Sequence, residues 1–220
     1  MITSTSEIAQ QRTVRLIPTA YYKPPVMRAL VDTDEELKIL EKLEGLTSKR
    51  LTSGAPTVGL DYDAWGRTLI SAAFTYCRKG GNRFNGENHG AWYAAFDDRT
   101  ALNEVAFHKT RELTYINYFY DEMRYRALHA SFIGRFHDLR NLDPVPDCLD
   151  PDPAVGYPSG QALATDLIAQ KSRGLIYPSV RNPNGVCLVA FQPNVVQDVS
   201  PGACWQITWN GTPIWSATAA

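Results

Sequence analysis

Arg83, Tyr93 and Glu104 follow one another at intervals of ten and eleven residues within GGNRFNGENHGAWYAAFDDRTALNEVAFHKTREL, residues 80–113. Arg83 lies between KGGN and FNGENHG, glycine-rich and permissive backbone where a ligand can approach closely, a setting suited to gripping phosphate. An exposed loop arginine would look the same. Tyr93 sits in a short β-compatible run beside Trp92. Neighbours in a strand point to opposite faces, so one of the two rings faces the core and the other something else. Glu104 falls near the start of an otherwise apolar helical stretch, where a carboxylate is favoured by the helix dipole whether it faces solvent or a ligand.

These three groups need a turn, a strand and a helix start to hold them. The segment GAWYAAF reads as the strand, and DDRTALNEVAFHKTREL as the helix, with Asp97 or Asp98 as N-cap and Leu102, Val105 and Phe107 among its apolar positions. Upstream, RTVRLIPTAYY reads as a strand stopped by Pro24 and Pro25, and GRTLISAAFTY as another strand. Between them, Thr33 and Glu36 form a capping box ahead of Leu37, Leu40 and Leu43, and Gly45 is a stop, which predicts a surface helix over 33–46. Downstream, TYINYFYDEMRYRALHASFIGRFHDLRN is expected to give strand, turn and strand. Residues 141–158 carry five prolines and read as an irregular surface loop. A helix capped by Ser159 and stopped by Gly174 should follow, then two strands joined by an Asn/Pro/Gly turn, and a final hairpin around the Asn-Gly of CWQITWNGTPIWS. The sum is one α+β domain over 1–220, compact, with mostly antiparallel sheets and a few helices.

Composition narrows the function. With 220 residues, 44% of them apolar, the chain can bury a sizeable core as one domain. A formal net charge of −1 provides no overall positive field for a polyanion, so direct nucleic-acid binding is not expected. No stretch is apolar for long enough to serve as a signal peptide core or a membrane span, and a cytoplasmic location is expected. Cys77, Cys148, Cys187 and Cys204 lack C-x-x-C pairing and suit buried thiols in a reducing compartment. His89, His108, His129 and His137 show no metal-ligand spacing, and no metal is expected; His108 shares a helical face with Glu104 at i, i+4.

Taken with SRGLIYPSVRNPNG downstream, the RLIP opening, LEGLTSKRL, SGQALATDL and the ending WQITWNG, the trio resembles the RES domain family, toxins of RES/Xre toxin–antitoxin modules. It resembles a longer branch, with about fifty additional residues between Arg15 and Arg83 forming an N-terminal insertion, and NRFNG where compact members tend to have GRWN. The resemblance implies a fold like that of the diphtheria-toxin type ADP-ribosyltransferases and a site for NAD as substrate. In that reading Arg83 and Arg15 hold the pyrophosphate, Tyr93 positions the cationic nicotinamide ring, and Glu104 stabilises the oxocarbenium ion that bond cleavage builds on ribose. Ser179 would be the family serine, hydrogen-bonding the ligand rather than attacking it, since no G-x-S-x-G elbow surrounds it. Arg181 is a lesser candidate for the site and is expected rather to cap its own hairpin. The implied activity is cleavage of the nicotinamide–ribose bond with transfer of ADP-ribose to phosphate or water. Alternatives are a mono-ADP-ribosyltransferase modifying a host protein and an inactive NAD-binding protein. The implied protein partner is an Xre-type antitoxin.

Overall fold

The computed structural model describes residues 4–9, 12–22, 30–33, 35–36, 39–40, 43 and 66–220. Among them the fold is α+β, built on one nine-stranded sheet of order β1-β5-β6-β7-β3-β2-β4-β8-β9. The strands are β1 Ser4–Ile8, β2 Thr13–Pro18, β3 Trp92–Ala95, β4 Tyr120–Ser131, β5 Gly134–Asp138, β6 Gly174–Pro178, β7 Val186–Ala190, β8 Gln197–Asn210 and β9 Trp215–Ala219. Every neighbouring pair is antiparallel except β5 and β6. Helices α1 Arg67–Thr75, α2 Asp98–Ile116 and α3 Pro153–Ala169 cover it.

Each face of the sheet buries its own core, as the period-two alternation of strands requires. Val14, Leu16, Leu175, Val189 and Trp209 pack with Ala101, Leu102, Ala106 and Leu113 of α2 and with Ala164 and Leu167 of α3. Trp92, Leu128, Phe136, Ile176 and Leu188 pack on the other face with Ile70 and Phe74 of α1. The Trp92/Tyr93 alternation follows this division, Trp92 lying in the second cluster and Tyr93 against the first.

The sheet has a seam. β2 runs in register with β4 from Thr13↔Ala130 to Pro18↔Tyr125, and β3 with β7 from Trp92↔Ala190 to Ala95↔Cys187. Yet β2 meets β3 at one register position, Val14 opposite Ala95. The two halves diverge there, leaving backbone carbonyls without a ladder partner.

Three sequence expectations differ from the structure. GRTLISAAFTY forms α1, not a strand: its apolar residues Ile70 and Phe74 recur at i, i+4, and they turn together onto the sheet. The 141–158 segment is less irregular than its prolines suggest. Cys148 and Leu149 are buried in a 3-10 turn, and α3 begins at Pro153, a residue that tolerates the first helical position because no hydrogen bond is lost there. The cap is accordingly Asp152, whose Oδ1 accepts from Ala154 N, and not Ser159, which lies inside the helix. The strand, turn and strand expected downstream of α2 are present as β4 and β5, which lie apart in the sheet, β4 between β2 and β8 and β5 between β1 and β6. β1 itself carries no sequence signal used above. In the 33–46 segment the capping-box bonds are present, Thr33 N donating to Glu36 Oε2 (3.1 Å) and Glu36 N to Thr33 Oγ1 (3.2 Å). Leu37 and Gly45 lie outside the described residues, as do Pro24 and Pro25.

Candidate active site

A cavity of about 240 Å³ opens beside the seam, between the sheet and α2. Arg15, Arg83, Tyr93 and Glu104 all line it, together with Phe107, His108, Tyr157, Tyr177, Arg181 and Cys187. Ser179 reaches it through Glu104.

Glu104 is placed by α2. Asp97 caps that helix with both carboxylate oxygens, Oδ1 accepting from Thr100 N and Oδ2 from Thr100 Oγ1, each at 2.7 Å. One turn further on, Glu104 Oε1 accepts a hydrogen bond from Ser179 Oγ at 2.7 Å. Ser179 Oγ in turn accepts from the backbone N–H groups of Arg181 and Asn182, both at 3.1 Å. Those donors polarise the hydroxyl and aim its proton at the carboxylate. Oε1 is thereby held, and among the described residues no hydrogen bond occupies Oε2.

Tyr93 enters from β3, and its hydroxyl is fully engaged. It donates to Asn85 Oδ1 and accepts from Phe84 N, both at 2.9 Å. Burial pushes its ionisation far above the ordinary tyrosine range, so it stays neutral. The tight turn it holds is closed by Asn82 N donating to Asn85 O (2.8 Å) and entered through Gly81 at φ 68°, where a Cβ would strike the Asn85 carbonyl. Gln161 of α3 grips the same turn, its Nε2 donating to Gly80 O and Asn82 O at 2.9 Å each.

That turn carries Arg83, which is 7% exposed and not the open loop arginine its glycine-rich setting suggested. Its Nη1 donates to Cys148 O (2.7 Å) and Asp150 O (2.8 Å), and its guanidinium lies 5.4 Å from the Tyr157 ring centroid. Side chains at 156 and 160 would collide with it, so Gly156 and Gly160 give α3 the flat face on which Arg83 rests. Among the described residues Nε and Nη2 make no hydrogen bond. Arg15 occupies the seam: its Nη1 donates at 3.1 Å to Tyr93 O, one of the carbonyls the diverging strands leave free, and it lies 4.9 Å from the Trp92 ring. Burial lowers its pKa to about 10, which leaves it charged at neutral pH.

Three residues gain more importance than the sequence gave them. Arg181 does not cap its own hairpin; its Nη2 donates to Pro151 O (2.6 Å) and its guanidinium lies 3.4 Å from the Phe107 ring centroid. Its signal was its place two residues after Ser179. His108 lines the cavity with Nδ1 buried and unpartnered, and burial together with Arg111, Arg78, Arg181 and Arg83 lowers its pKa to about 4. Tyr157 had no signal, because it sits in the proline-rich stretch read as loop. No group of His, Cys, Asp or Glu among the described residues is arranged to hold a metal, and no described helix is long and apolar enough to cross a membrane.

A RES domain family model matches residues 59–210. No curated protein matches the chain. Among solved structures, a chain of the M. tuberculosis MbcT–MbcA toxin–antitoxin complex is similar at a TM-score of 0.45 and 13% identity, covering 90% of this chain and 87% of that one. That similarity is too low to bear on function. The family match is different in kind, since it spans more than half of the chain and takes in Arg83, Tyr93, Glu104 and Ser179: the chain belongs to the RES domain family.

Proposed function

We propose that the protein consumes NAD, cleaving the nicotinamide–ribose bond and passing ADP-ribose to phosphate or water. The observation that carries this reading is the convergence of Glu104, held by Ser179, with Tyr93, Arg15 and Arg83 around one cavity. NAD carries a cationic ring at one end and a diphosphate beyond it, and the cavity offers one carboxylate and several guanidinium groups. Its volume of about 240 Å³ is below the ~300 Å³ at which pockets enclose drug-sized ligands, so it would take the reacting end of the dinucleotide and leave the adenosine outside.

In this mechanism the C–N bond breaks with its electron pair going to the nicotinamide nitrogen, which leaves neutral, and positive charge passes to the ribose. Glu104 is oriented in advance by Ser179 and stabilises that charge without reorganising. An oxygen of phosphate or water then bonds to the ribose carbon, and water loses its proton to solvent. Tyr93 presents ring surface to the nicotinamide while its hydroxyl fixes the turn that carries Arg83. Arg83 and Arg15 face the diphosphate with the donors their carbonyl contacts leave over. Membership of the family further supports an antitoxin-type protein as the partner that restrains this activity.

The test is nicotinamide release from NAD by wild type and Glu104→Gln, with and without phosphate. The substitution keeps shape and removes charge, so kcat should fall about a hundredfold, or ~3 kcal/mol in transition-state stabilisation, with binding much less affected. Turnover within a few-fold of wild type would refute the mechanism. Label appearing on an acceptor protein in place of free product would turn the reading to ADP-ribosyl transfer.

A further inference from the structure

We propose that Arg181, stacked on Phe107 at the cavity wall, forms a phosphate-binding subsite. The identity of the phosphate rests on the NAD reading; the geometry does not. Ion pairs among the described residues engage Arg78, Lys109, Arg124, Arg135 and Arg140, but neither Arg111 nor any arginine lining the cavity. Arg15, Arg83 and Arg181 line it, and Arg111 lies 5.8 Å from the same Phe107 ring that Arg181 covers. The carboxylate in the lining, Glu104, has Oε1 committed to Ser179. Several cations around one partly enclosed space, with so little compensating negative charge, repel one another until an anion enters. The lowered pKa of Arg181, caused first by burial and next by Arg83, is that repulsion felt between two of them.

Arg181 is also held ready. Pro151 O fixes Nη2 and the Phe107 face fixes the plane, while Nε and Nη1 make no hydrogen bond among the described residues. Its loop is clamped to α2 on both sides: Ser179 bonds Glu104, and Asn182 Nδ2 donates to Thr100 Oγ1 at 2.8 Å. Gly185 completes the clamp, since a side chain there would strike Thr100 and Asn182. A fork immobilised before binding loses little entropy when it meets a phosphate, and it can present two donors at once. His108, next to Phe107, stays neutral and adds no competing charge. The ligand class is a phosphate group, supplied either by the diphosphate of a dinucleotide or by inorganic phosphate.

The experiment is calorimetric titration of wild type, Arg181→Gln and Arg181→Lys with ADP-ribose, with inorganic phosphate, and with nicotinamide riboside as a phosphate-free probe. Arg181→Gln should weaken at least one phosphate-bearing ligand by about tenfold or more, with nicotinamide riboside unchanged. Arg181→Lys, which preserves charge without the fork, should fall between and guards against a folding defect in the first variant. Loss confined to ADP-ribose assigns the subsite to the diphosphate, and loss confined to inorganic phosphate assigns it to a free acceptor. Wild-type affinity for both in Arg181→Gln, or no binding of either by wild type, overturns the subsite. If ADP-ribose binds through Arg181 but NAD yields no nicotinamide, the proposed reaction fails and the subsite stands.

Discussion

Replacing Arg83 by methionine tests the claim that this arginine pins the fold as well as facing the cavity. Methionine approximates its reach and apolar stem but carries no donor. The change removes two hydrogen bonds from a charged group, to Cys148 O and Asp150 O, and leaves those carbonyls to find other partners. Hydrogen bonds to charged groups are worth roughly 1.5–3 kcal/mol each, and the two share one nitrogen, so the loss should be about 3 kcal/mol in total. For a chain of this length that is a fall in Tm of about 6–12 °C. Differential scanning calorimetry gives the global value. Hydrogen exchange should localise the first opening to the 147–157 segment, where the 3-10 turn and the start of α3 rest on Arg83. Arg83→Lys should recover only part of the stability, because an ammonium on a shorter stem cannot reproduce both contacts. A Tm within about 2 °C of wild type in Arg83→Met, with unchanged exchange in 147–157, would show that the guanidinium is not structural and that the contacts to Cys148 and Asp150 carry no stability.

Tyr93→Phe keeps the ring but leaves Phe84 N–H and Asn85 Oδ1 without the hydroxyl; it should cost about 1–2 kcal/mol in denaturant unfolding and impair NAD use less than Tyr93→Ala. Equal and complete loss of NAD use in both would move the functional role from ring to hydroxyl. His108 gives a pH signature: its pKa of about 4 lies below the ordinary value near 6.5, so the unfolded chain takes up the proton first. The stability associated with keeping His108 neutral is therefore full above about pH 6.5 and is lost as pH falls toward 4, by about 3 kcal/mol in all. His108→Gln should flatten that part of the stability–pH curve, and an unchanged slope between pH 6.5 and 4 would refute the assignment.

The sequence announced the parts of this architecture whose causes are local. The Asp97 cap, the Trp92/Tyr93 alternation, the Asn/Pro/Gly connection of β6 to β7 and the Asn-Gly hairpin each depend on a few adjacent residues, and each is present. What local pattern could not give was anything decided by a distant partner. α1 was misread because TLISAAF is as β-compatible as it is helical, and the sheet face that receives Ile70 and Phe74 settled the matter. Arg83 looked exposed because the groups that bury it, the 148–150 carbonyls and the bare backbone of Gly156 and Gly160, lie more than sixty residues away. Likewise Arg181 is drawn from its own turn by Phe107 and Pro151, neither of which is its neighbour in sequence.

The placement of the first two strands sets an order of events during synthesis. β1 and β2 leave the ribosome first, yet Ser4 finds its partner Asp138 only 134 residues later, and Thr13 finds Ala130 after 117. At roughly 5–20 residues per second the interval for β2 is about 6–23 s, during which the edge of Val14 and Leu16 that β4 will cover stays open to other chains. A segment cut to the family match at 59–210 never receives these strands at all: β3 and β4 would emerge with nothing to lie between them. The stretch that the family model matches is thus shorter than the stretch that supplies all nine strands, since β1, β2 and β9 lie outside it.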